Sequence, residues 1–225
     1  MFSPIKAVIF DMDGVIIDSE PLWRKAMIIG FNNIGIPFTE ADCRKTTGMR
    51  FKEVVEIWLK HHKIENVSAP QLDKAVLDIL IDLISIEGKI MQGVLEVYNY
   101  AKKAHLKIGL ATSSPNRLLN AVLNKFNLEN SFDAITSAEF MSHGKPHPEV
   151  FLYCANELKV KPGECIVIED SVNGVIAAKA AQMKVIAVPD KEHKHLKQFG
   201  AADYQFENMA EVLILFNELI KAKTP

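Results

Sequence analysis

The chain has 225 residues, of which 48% are hydrophobic and 24% are charged, and its formal net charge is −2. This composition is typical of a soluble globular protein, and the length suits one large domain or a core domain that carries a smaller insert. The near-neutral charge gives no electrostatic basis for binding nucleic acid or an anionic membrane surface. No apolar run reaches the ~20 residues that a membrane-spanning helix needs.

The cysteines and the amino terminus bear on the cellular compartment. Cys43, Cys154 and Cys165 are an odd number without CxxC spacing, so we expect reduced core thiols and neither a zinc site nor a disulfide framework. The first predicted strand begins within a few residues of Met1, so we expect no signal peptide. Both observations favour a cytoplasmic protein. The composition indicates no large exposed apolar surface, so we expect a monomer.

Five short runs of mostly apolar residues predict strands. They do not alternate between apolar and polar residues, which favours central strands of a parallel sheet covered by helices on both faces. The runs are residues 7–10, 107–111, 134–136, 165–168 and 184–188. Segments with helical spacing of apolar residues separate most of these runs. The sequence therefore predicts an α/β protein with a doubly wound, Rossmann-like parallel sheet.

The long segment between the first and second predicted strands breaks this alternation. Its amphipathic patterns predict three or four helices, of which one opens near Pro21, one follows a capping box at Thr39 and one starts at Pro70. We assign residues 16–87 to a small helical insert, and residues 1–15 together with 88–225 to the α/β core. An insert directly after the first strand would cover the edge where open α/β sheets bind ligands.

Polar residues stand at the ends of four predicted strands. Parallel strands share one carboxyl edge, so we expect these residues to converge in one crevice. They are Asp11 and Asp13 after the first strand, Thr112, Ser113 and Asn116 after the second, Lys145 beyond the third, and Glu169 and Asp170 after the fourth.

The chemistry of this set predicts phosphoryl transfer. Carboxylates gathered in one crevice repel one another, which raises their pKa values unless a cation is present. Oxygen ligands without clustered histidine or cysteine favour Mg²⁺ as that cation. The Thr112 hydroxyl, the N–H groups of the following turn and the Lys145 ammonium would form a cradle for an anion. A metal, an anion cradle and a carboxylate are the parts that phosphoryl transfer requires.

Four segments, DMDGVIIDSEPLW, LATSSP, GKPHPEVF and IEDSVNG, follow one another along the chain. In that order they resemble the four motifs of the haloacid dehalogenase superfamily, and the resemblance covers nearly the whole chain. Within the superfamily, the chain is most similar to bacterial hexitol and 2-deoxyglucose-6-phosphate phosphatases and to β-phosphoglucomutases. The resemblance implies that the insert is a helical cap and that the protein is an Mg²⁺-dependent phosphatase of small phosphorylated sugars.

The resemblance also implies a role for each motif residue. Asp11 would attack the phosphoryl group and become an aspartyl-phosphate, and Asp13 would protonate the departing oxygen and then deprotonate the attacking water. The implied Mg²⁺ ligands are Asp11, the backbone carbonyl of Asp13 and Asp170, with Glu169 as a further ligand or a partner behind them. The implied phosphoryl contacts are Thr112, the Ser113 N–H and Lys145, and the implied substrate contacts are Asn116 and the cap residue Arg50.

Two departures refine the expected reaction. A true dehalogenase of this superfamily lacks the second aspartate of the first motif, so Asp13 argues against carbon–halogen chemistry. Trp23 stands where β-phosphoglucomutases tend to carry histidine, which favours a phosphatase over a mutase. The mutase is the nearest alternative, and a receiver-like phosphoacceptor module, which also uses acids, a hydroxyl and a lysine around Mg²⁺, is a more distant one. The insert would hinder a phosphodonor protein and therefore weighs against the receiver.

The remaining candidate residues have simpler interpretations. His143 and His147 flank Lys145 but have no carboxylate at metal-binding spacing in the sequence, so we expect them to be structural or solvated. His193 and His195 lie in the charged segment DKEHKH, and we expect them to face solvent. Trp58 has helical spacing with apolar neighbours, which favours a place in the core of the insert.

Overall fold

The computed structural model describes residues 4–46 and 51–221. Six parallel strands form one sheet in the order β3–β2–β1–β4–β5–β6. The strands are β1 (Ala7–Phe10), β2 (Lys107–Thr112), β3 (Ala134–Ser137), β4 (Cys165–Glu169), β5 (Lys184–Ala187) and β6 (Tyr204–Gln205). The α/β fold class and the five predicted strands are confirmed. The sixth strand was not predicted, because two residues are too short a run to give a period.

Nine α-helices are present in the described residues. Five of them lie between β1 and β2, and four alternate with the later strands or follow them. They are α1 (Glu20–Asn33), α2 (Glu40–Lys45), α3 (Phe51–His61), α4 (Ala69–Glu87), α5 (Val94–Lys103), α6 (Asn116–Phe126), α7 (Glu149–Glu157), α8 (Val172–Ala180) and α9 (Met209–Lys221).

The two faces of β1 explain why its sequence is apolar without alternation. Val8 and Phe10 belong to the apolar cluster shared with α5, α6 and α9, whereas Ala7 and Ile9 belong to the cluster shared with α7 and α8. All four side chains are completely buried. A strand that is covered on both faces must be apolar at every position, and β1 is such a strand. All three cysteines are also buried.

The four helices α1–α4 pack on one another through aromatic and small residues. Phe38 stacks on Phe31 at 4.3 Å between ring centroids and meets the edge of Trp58 at 5.0 Å, so Trp58 is part of this core, as predicted. Gly30 of α1 lies so close to α4 that a Cβ there would be 2.2 Å from Cγ2 of Val76. This close approach holds α1 and α4 together as one unit.

The chain enters and leaves the helical unit at neighbouring points. Ile17, on the way in, forms an antiparallel bridge with Ile90, on the way out, and a parallel bridge with Asp13. The unit is therefore joined to the sheet beside the motif that follows β1. None of the helices in the described ranges is both long and apolar enough to cross a membrane.

Candidate active site

Three adjacent strands bring the motif residues to one edge of the sheet. Asp11 directly follows β1, while Thr112 and Glu169 are the last residues of the neighbouring strands β2 and β4. Both strands extend one residue beyond their predicted ends. The loop between β3 and α7 carries Lys145 to the same place, where its Nζ lies 2.8 Å from Oδ1 of Asp11 and 2.6 Å from Oε1 of Glu169. The predicted convergence is confirmed for these residues.

Burial and charge shift the pKa values of this cluster strongly. Burial raises the pKa of Asp11 from 3.8 to about 7, with the neighbouring Glu169 and Asp13 adding to the rise and Lys145 opposing it. Asp170 has its pKa raised well above 3.8, by burial first and then by Glu169 and Asp11. Burial lowers the pKa of Lys145, but Asp11 and Glu169 more than offset that effect, so the net shift is upward. The cluster carries more negative charge than its one lysine neutralises.

The oxygens of this cluster fit a hard divalent cation. Asp11, Glu169 and Asp170 each contribute one carboxylate oxygen, and these three oxygens lie within 4.8 Å of one another. Oxygen donors with an uncompensated negative charge in a buried site are the donor set that Mg²⁺ takes in proteins. Glu169 is also bound elsewhere, because its Oε2 accepts the N–H groups of Asp170 and Ser171 at 2.9 and 2.8 Å.

Two glycines make room for these carboxylates. A Cβ on Gly14, which has a φ of +71°, would lie 2.0 Å from Oδ2 of Asp170. A Cβ on Gly174 at the start of α8 would lie 1.7 Å from Oε1 of Glu169. Any side chain at either position would therefore displace a carboxylate of the cluster.

Asp13 is held by three side-chain donors. Its Oδ1 accepts the hydroxyl of Ser19 at 2.6 Å and Nε1 of Trp23 at 3.2 Å. Its Oδ2 accepts the hydroxyl of Ser114 at 2.6 Å. Ser19 and Trp23 lie at the start of the helical unit and Ser114 lies after β2, so Asp13 stands where the unit meets the sheet. None of these three donors was predicted, because their distances from Asp13 depend on the tertiary fold.

The other predicted site residues fall into three groups. Thr112 and Ser113 line the cavity above the carboxylates, and the buried Thr112 hydroxyl accepts the Ser114 N–H at 3.0 Å. The Asn116 side chain donates to Oε2 of Glu139 at 2.7 Å and is not among the described residues that line the cavity. Arg50 lies outside the described residues, so its predicted substrate contact stays a prediction.

A cavity of about 440 Å³ separates the helical unit from the carboxyl edge of the sheet. This volume lies in the range of pockets that bind small molecules. Asp11, Asp13, Lys145 and Asp170 form its floor. Its walls contain the apolar residues Trp23, Phe51 and Val54 and the charged residues Glu20, Arg24 and Arg44.

The expectation that His193 faces solvent is wrong, because this residue lines the cavity. Its Nδ1 lies 2.8 Å from Oδ2 of Asp190, another cavity residue, and its backbone N–H donates to Oδ1 of Asp190 at 2.7 Å. His195 is exposed, as predicted. The sequence signal for this pair was an aspartate three residues before a histidine in the turn that follows β5.

The Asp190–His193 pair faces charged residues of the helical unit. The pKa of Glu20 is raised by burial, with the positive charge of Arg24 opposing the rise and the nearby Asp13 and Asp190 adding to it. At the edge of the cleft, Arg44 of α2 lies 3.7 Å from Glu192. The cleft thus has charged residues on both sides, above the carboxylate floor.

The parallel sheet, the helical unit over its carboxyl edge and the lysine-bridged carboxylates define a Rossmann-like domain with a helical cap over a carboxylate site. The model of the haloacid dehalogenase-like hydrolases matches residues 5–182, which is more than half of the chain. The chain therefore belongs to the haloacid dehalogenase-like hydrolase family, and its phosphatase relatives make it a phosphoric monoester hydrolase.

Individual relatives are similar over nearly their full length. Hexitol phosphatase B of Escherichia coli is 39% identical over 92% of this chain and 94% of its own. The phosphorylated carbohydrates phosphatase of Thermotoga maritima is 35% identical over 81% of this chain and 84% of its own. The crystal structure of β-phosphoglucomutase from Clostridium difficile superimposes with a TM-score of 0.81 at 27% identity, over 97% and 98% of the two chains. The predicted superfamily is confirmed.

Proposed function

We propose that this protein is an Mg²⁺-dependent phosphatase that hydrolyses small phosphorylated sugars or sugar alcohols through an aspartyl-phosphate on Asp11. The observation that carries the proposal is the position of Lys145, whose ammonium bridges Asp11 and Glu169 at the floor of the cavity. A carboxylate beside a fixed cation, below a cavity of substrate size, is placed to receive a phosphoryl group.

Asp11 is the proposed nucleophile. Its Oδ1 is paired with Lys145, so the attack on phosphorus would use the other oxygen, Oδ2. Burial raises the pKa of Asp11, so a cation beside it would favour the ionised form that attacks phosphorus. Mg²⁺, when bound, would neutralise charge on the carboxylates and on the phosphoryl group. Asp11, the Asp13 carbonyl and Asp170 would hold it.

Glu169 is proposed to orient Lys145 and to support the metal ligands without binding the ion directly. Both of its oxygens are engaged, one by Lys145 and the other by the backbone N–H groups that follow it. Lys145, the Thr112 hydroxyl and the Ser113 N–H would then bind the phosphoryl oxygens as charge develops in the transition state.

Asp13 is proposed as the general acid and base. In the first step it would give a proton to the sugar oxygen as the bond to phosphorus breaks, and in the second it would take a proton from the water that attacks the phosphoaspartate. Its donors Ser19, Trp23 and Ser114 fix the orientation of the carboxylate. Two of the three come from the start of the helical unit, so closure of the cap, residues 16–87, would position the acid.

The cavity supports a small polyhydroxylated substrate. Its wall combines apolar residues such as Trp23 and Phe51 with hydrogen-bonding groups of Arg24, Asp190 and His193. Sugar hydroxyls need such donors and acceptors, and their carbon skeleton packs on apolar side chains. The names of two relatives, a hexitol phosphatase and a phosphorylated carbohydrates phosphatase, point to the same substrate class.

A mutase that returns the phosphoryl group to another sugar hydroxyl is the second candidate. The fold similarity to β-phosphoglucomutase favours it, whereas the contact of Trp23 with Asp13 favours hydrolysis, because mutases of this group tend to carry histidine at that position. Incubation with β-glucose 1-phosphate separates the two reactions. A phosphatase releases free phosphate, and a mutase yields an isomeric sugar phosphate.

Phosphate release from hexose 6-phosphates and hexitol 6-phosphates, with Mg²⁺ and with EDTA, tests the proposal. We expect release only with Mg²⁺ and complete loss in D11N, since an amide cannot form the phosphoenzyme. The matched control is D82N, an Asp-to-Asn change at an exposed position of α4, which should retain full activity. Undiminished turnover in D11N would contradict the assignment of the nucleophile.

A further inference from the structure

A second group of potential metal ligands surrounds the segment that carries Lys145. His143, His147 and Glu149 are side chains at the surface, and their ligand atoms lie within 4.8 Å of one another. The side chains of His143 and His147 are 64% and 48% exposed, so an ion could reach them from solvent. This group shares no residue with the carboxylate cluster beside Asp11.

The distances in this group match tetrahedral coordination. Oε2 of Glu149 lies 3.5 Å from Nδ1 of His143 and 3.7 Å from Nδ1 of His147. Two ligands of a tetrahedral Zn²⁺ with bonds of about 2.0–2.1 Å are separated by about 3.3–3.4 Å. Each of these two carboxylate–imidazole distances would therefore need to shorten by only a few tenths of an ångström for the pair to share one ion.

The hydrogen bonds of this segment already place the donor atoms. The backbone N–H of His143 donates to Oε2 of Glu149 at 3.1 Å, which holds the carboxylate beside the histidines. Nδ1 of His147 accepts the backbone N–H of Glu149 at 3.3 Å, so this nitrogen carries a lone pair that a bound ion would take in place of that long hydrogen bond. The imidazole rings lie 4.5 Å apart between centroids, with an interplanar angle of 32°. The expectation that these histidines lack a carboxylate is corrected, because Glu149 lies at the start of α7, beside both.

We propose that His143, His147 and Glu149 bind a Zn²⁺ ion or a similar late first-row divalent ion. Two imidazoles and one carboxylate are a donor set for Zn²⁺, with water in the remaining position. The same donors are poor ligands for Mg²⁺, which prefers oxygen. The two sites of the protein would thus select different metals.

The position of this site relates it to Lys145. His143 and His147 lie two residues before and after Lys145, whose Nζ reaches inward to Asp11 and Glu169. An ion shared by the two histidines would join both flanks of the lysine on the solvent side. Binding would therefore fasten the segment that presents Lys145 to the carboxylates.

Titration of the purified full-length protein with Zn²⁺ tests the proposal, with Mg²⁺ in large excess to occupy the oxygen site. A chromophoric chelator gives the affinity and the stoichiometry by competition. We expect the wild type to bind one Zn²⁺, and H143Q/H147Q and E149Q each to bind it at least about tenfold more weakly. Co²⁺ should give the visible absorption of a tetrahedral complex in the wild type but not in H143Q/H147Q.

The matched control is H105Q/H195Q, which removes two histidines outside the group and should bind Zn²⁺ as the wild type does. Equal Zn²⁺ affinity and stoichiometry in the wild type and in H143Q/H147Q would overturn the proposal. Zn²⁺ should also raise the melting temperature of the wild type but not of H143Q/H147Q, and circular dichroism establishes that each variant is folded. None of these measurements depends on phosphatase activity, so their outcome is separate from that of the proposed function.

Discussion

The Lys145 ammonium lies 2.8 Å from one oxygen of Asp11, although 134 positions separate the two residues in the chain. The same ammonium lies 2.6 Å from Glu169, and both carboxylates are almost completely buried. Removing the lysine would leave two buried acids without their only adjacent cation among the described residues. In the proposed mechanism this ion pair positions the nucleophile, so breaking it should reduce both activity and stability.

K145M is therefore expected to lower kcat by a factor of about 10²–10³ and the free energy of unfolding by about 3–5 kcal/mol. Phosphate release and urea denaturation measure the two effects. K60M, the same change at an exposed lysine of α3, should alter neither quantity. A K145M variant with wild-type turnover would show that Lys145 has no role in catalysis.

D170N is expected to lose Mg²⁺-dependent activity yet to stabilise the metal-free protein at neutral pH. A carboxyl group with a raised pKa in the folded state is harder to ionise there than in the unfolded chain. Asp170 therefore lowers the free energy of unfolding as the pH rises from the ordinary pKa of 3.8 towards the raised pKa of the folded protein. In EDTA at pH 7.5, we expect D170N to melt about 2–4 °C above the wild type.

Thermal denaturation at pH 4.5 completes this test, since the advantage of D170N should shrink where Asp170 is protonated in the folded protein. D82N serves as the control at both pH values, because its carboxylate is exposed. A constant difference in melting temperature between D170N and the wild type at the two pH values would contradict the assigned cause. Mg²⁺ should stabilise the wild type and have little effect on D170N.

G14A is expected to weaken Mg²⁺ binding. Its new Cβ would lie 2.0 Å from Oδ2 of Asp170, and alanine is strained at a φ of +71°. We expect about a tenfold higher Mg²⁺ concentration for half-maximal activity and a loss of about 1–2 kcal/mol in stability. G163A, where a Cβ would meet nothing within 4 Å, is the control. An unchanged Mg²⁺ dependence in G14A would argue against Asp170 as a ligand.

S114A is expected to lower kcat about tenfold, because the Ser114 hydroxyl donates to Oδ2 of Asp13 at 2.6 Å. The effect should appear in kcat more than in KM, since the proposed role of Asp13 is proton transfer at the reacting oxygen and not binding of the sugar. S85A, at an exposed serine whose hydroxyl donates to the Asp82 carbonyl of the same helix, should behave as the wild type. Steady-state kinetics with one sugar phosphate distinguishes these outcomes.

H193A is expected to raise KM for hexitol phosphates about tenfold, which corresponds to one lost hydrogen bond to a polar group. With para-nitrophenyl phosphate, which has no sugar hydroxyls, we expect kcat and KM to stay unchanged. The exposed neighbour provides the control variant, H195A. Equal losses for both substrates in H193A would indicate a general structural effect and not sugar recognition.

Much of the fold follows from local patterns in the sequence. The apolar run of β1 is the signature of a strand with two covered faces, and the polar residues after it mark the carboxyl edge. Because parallel strands run in one direction, the sequence predicts that Asp11, Thr112 and Glu169 lie close together at the ends of their strands. The helices of the insert were visible in the same way, from capping residues and helical spacing.

Tertiary structure alone decided the contacts between side chains from different loops. The three donors of Asp13, the place of His193 in the cavity and the meeting of Glu149 with two histidines each depend on loop paths and side-chain rotamers. Asn116 was predicted to contact substrate, but its side chain donates a hydrogen bond to Glu139. The periodicity of apolar residues is a local property of each segment, so the sequence alone predicts the strands and helices. Distances of 3 Å between segments are set by how the whole chain packs.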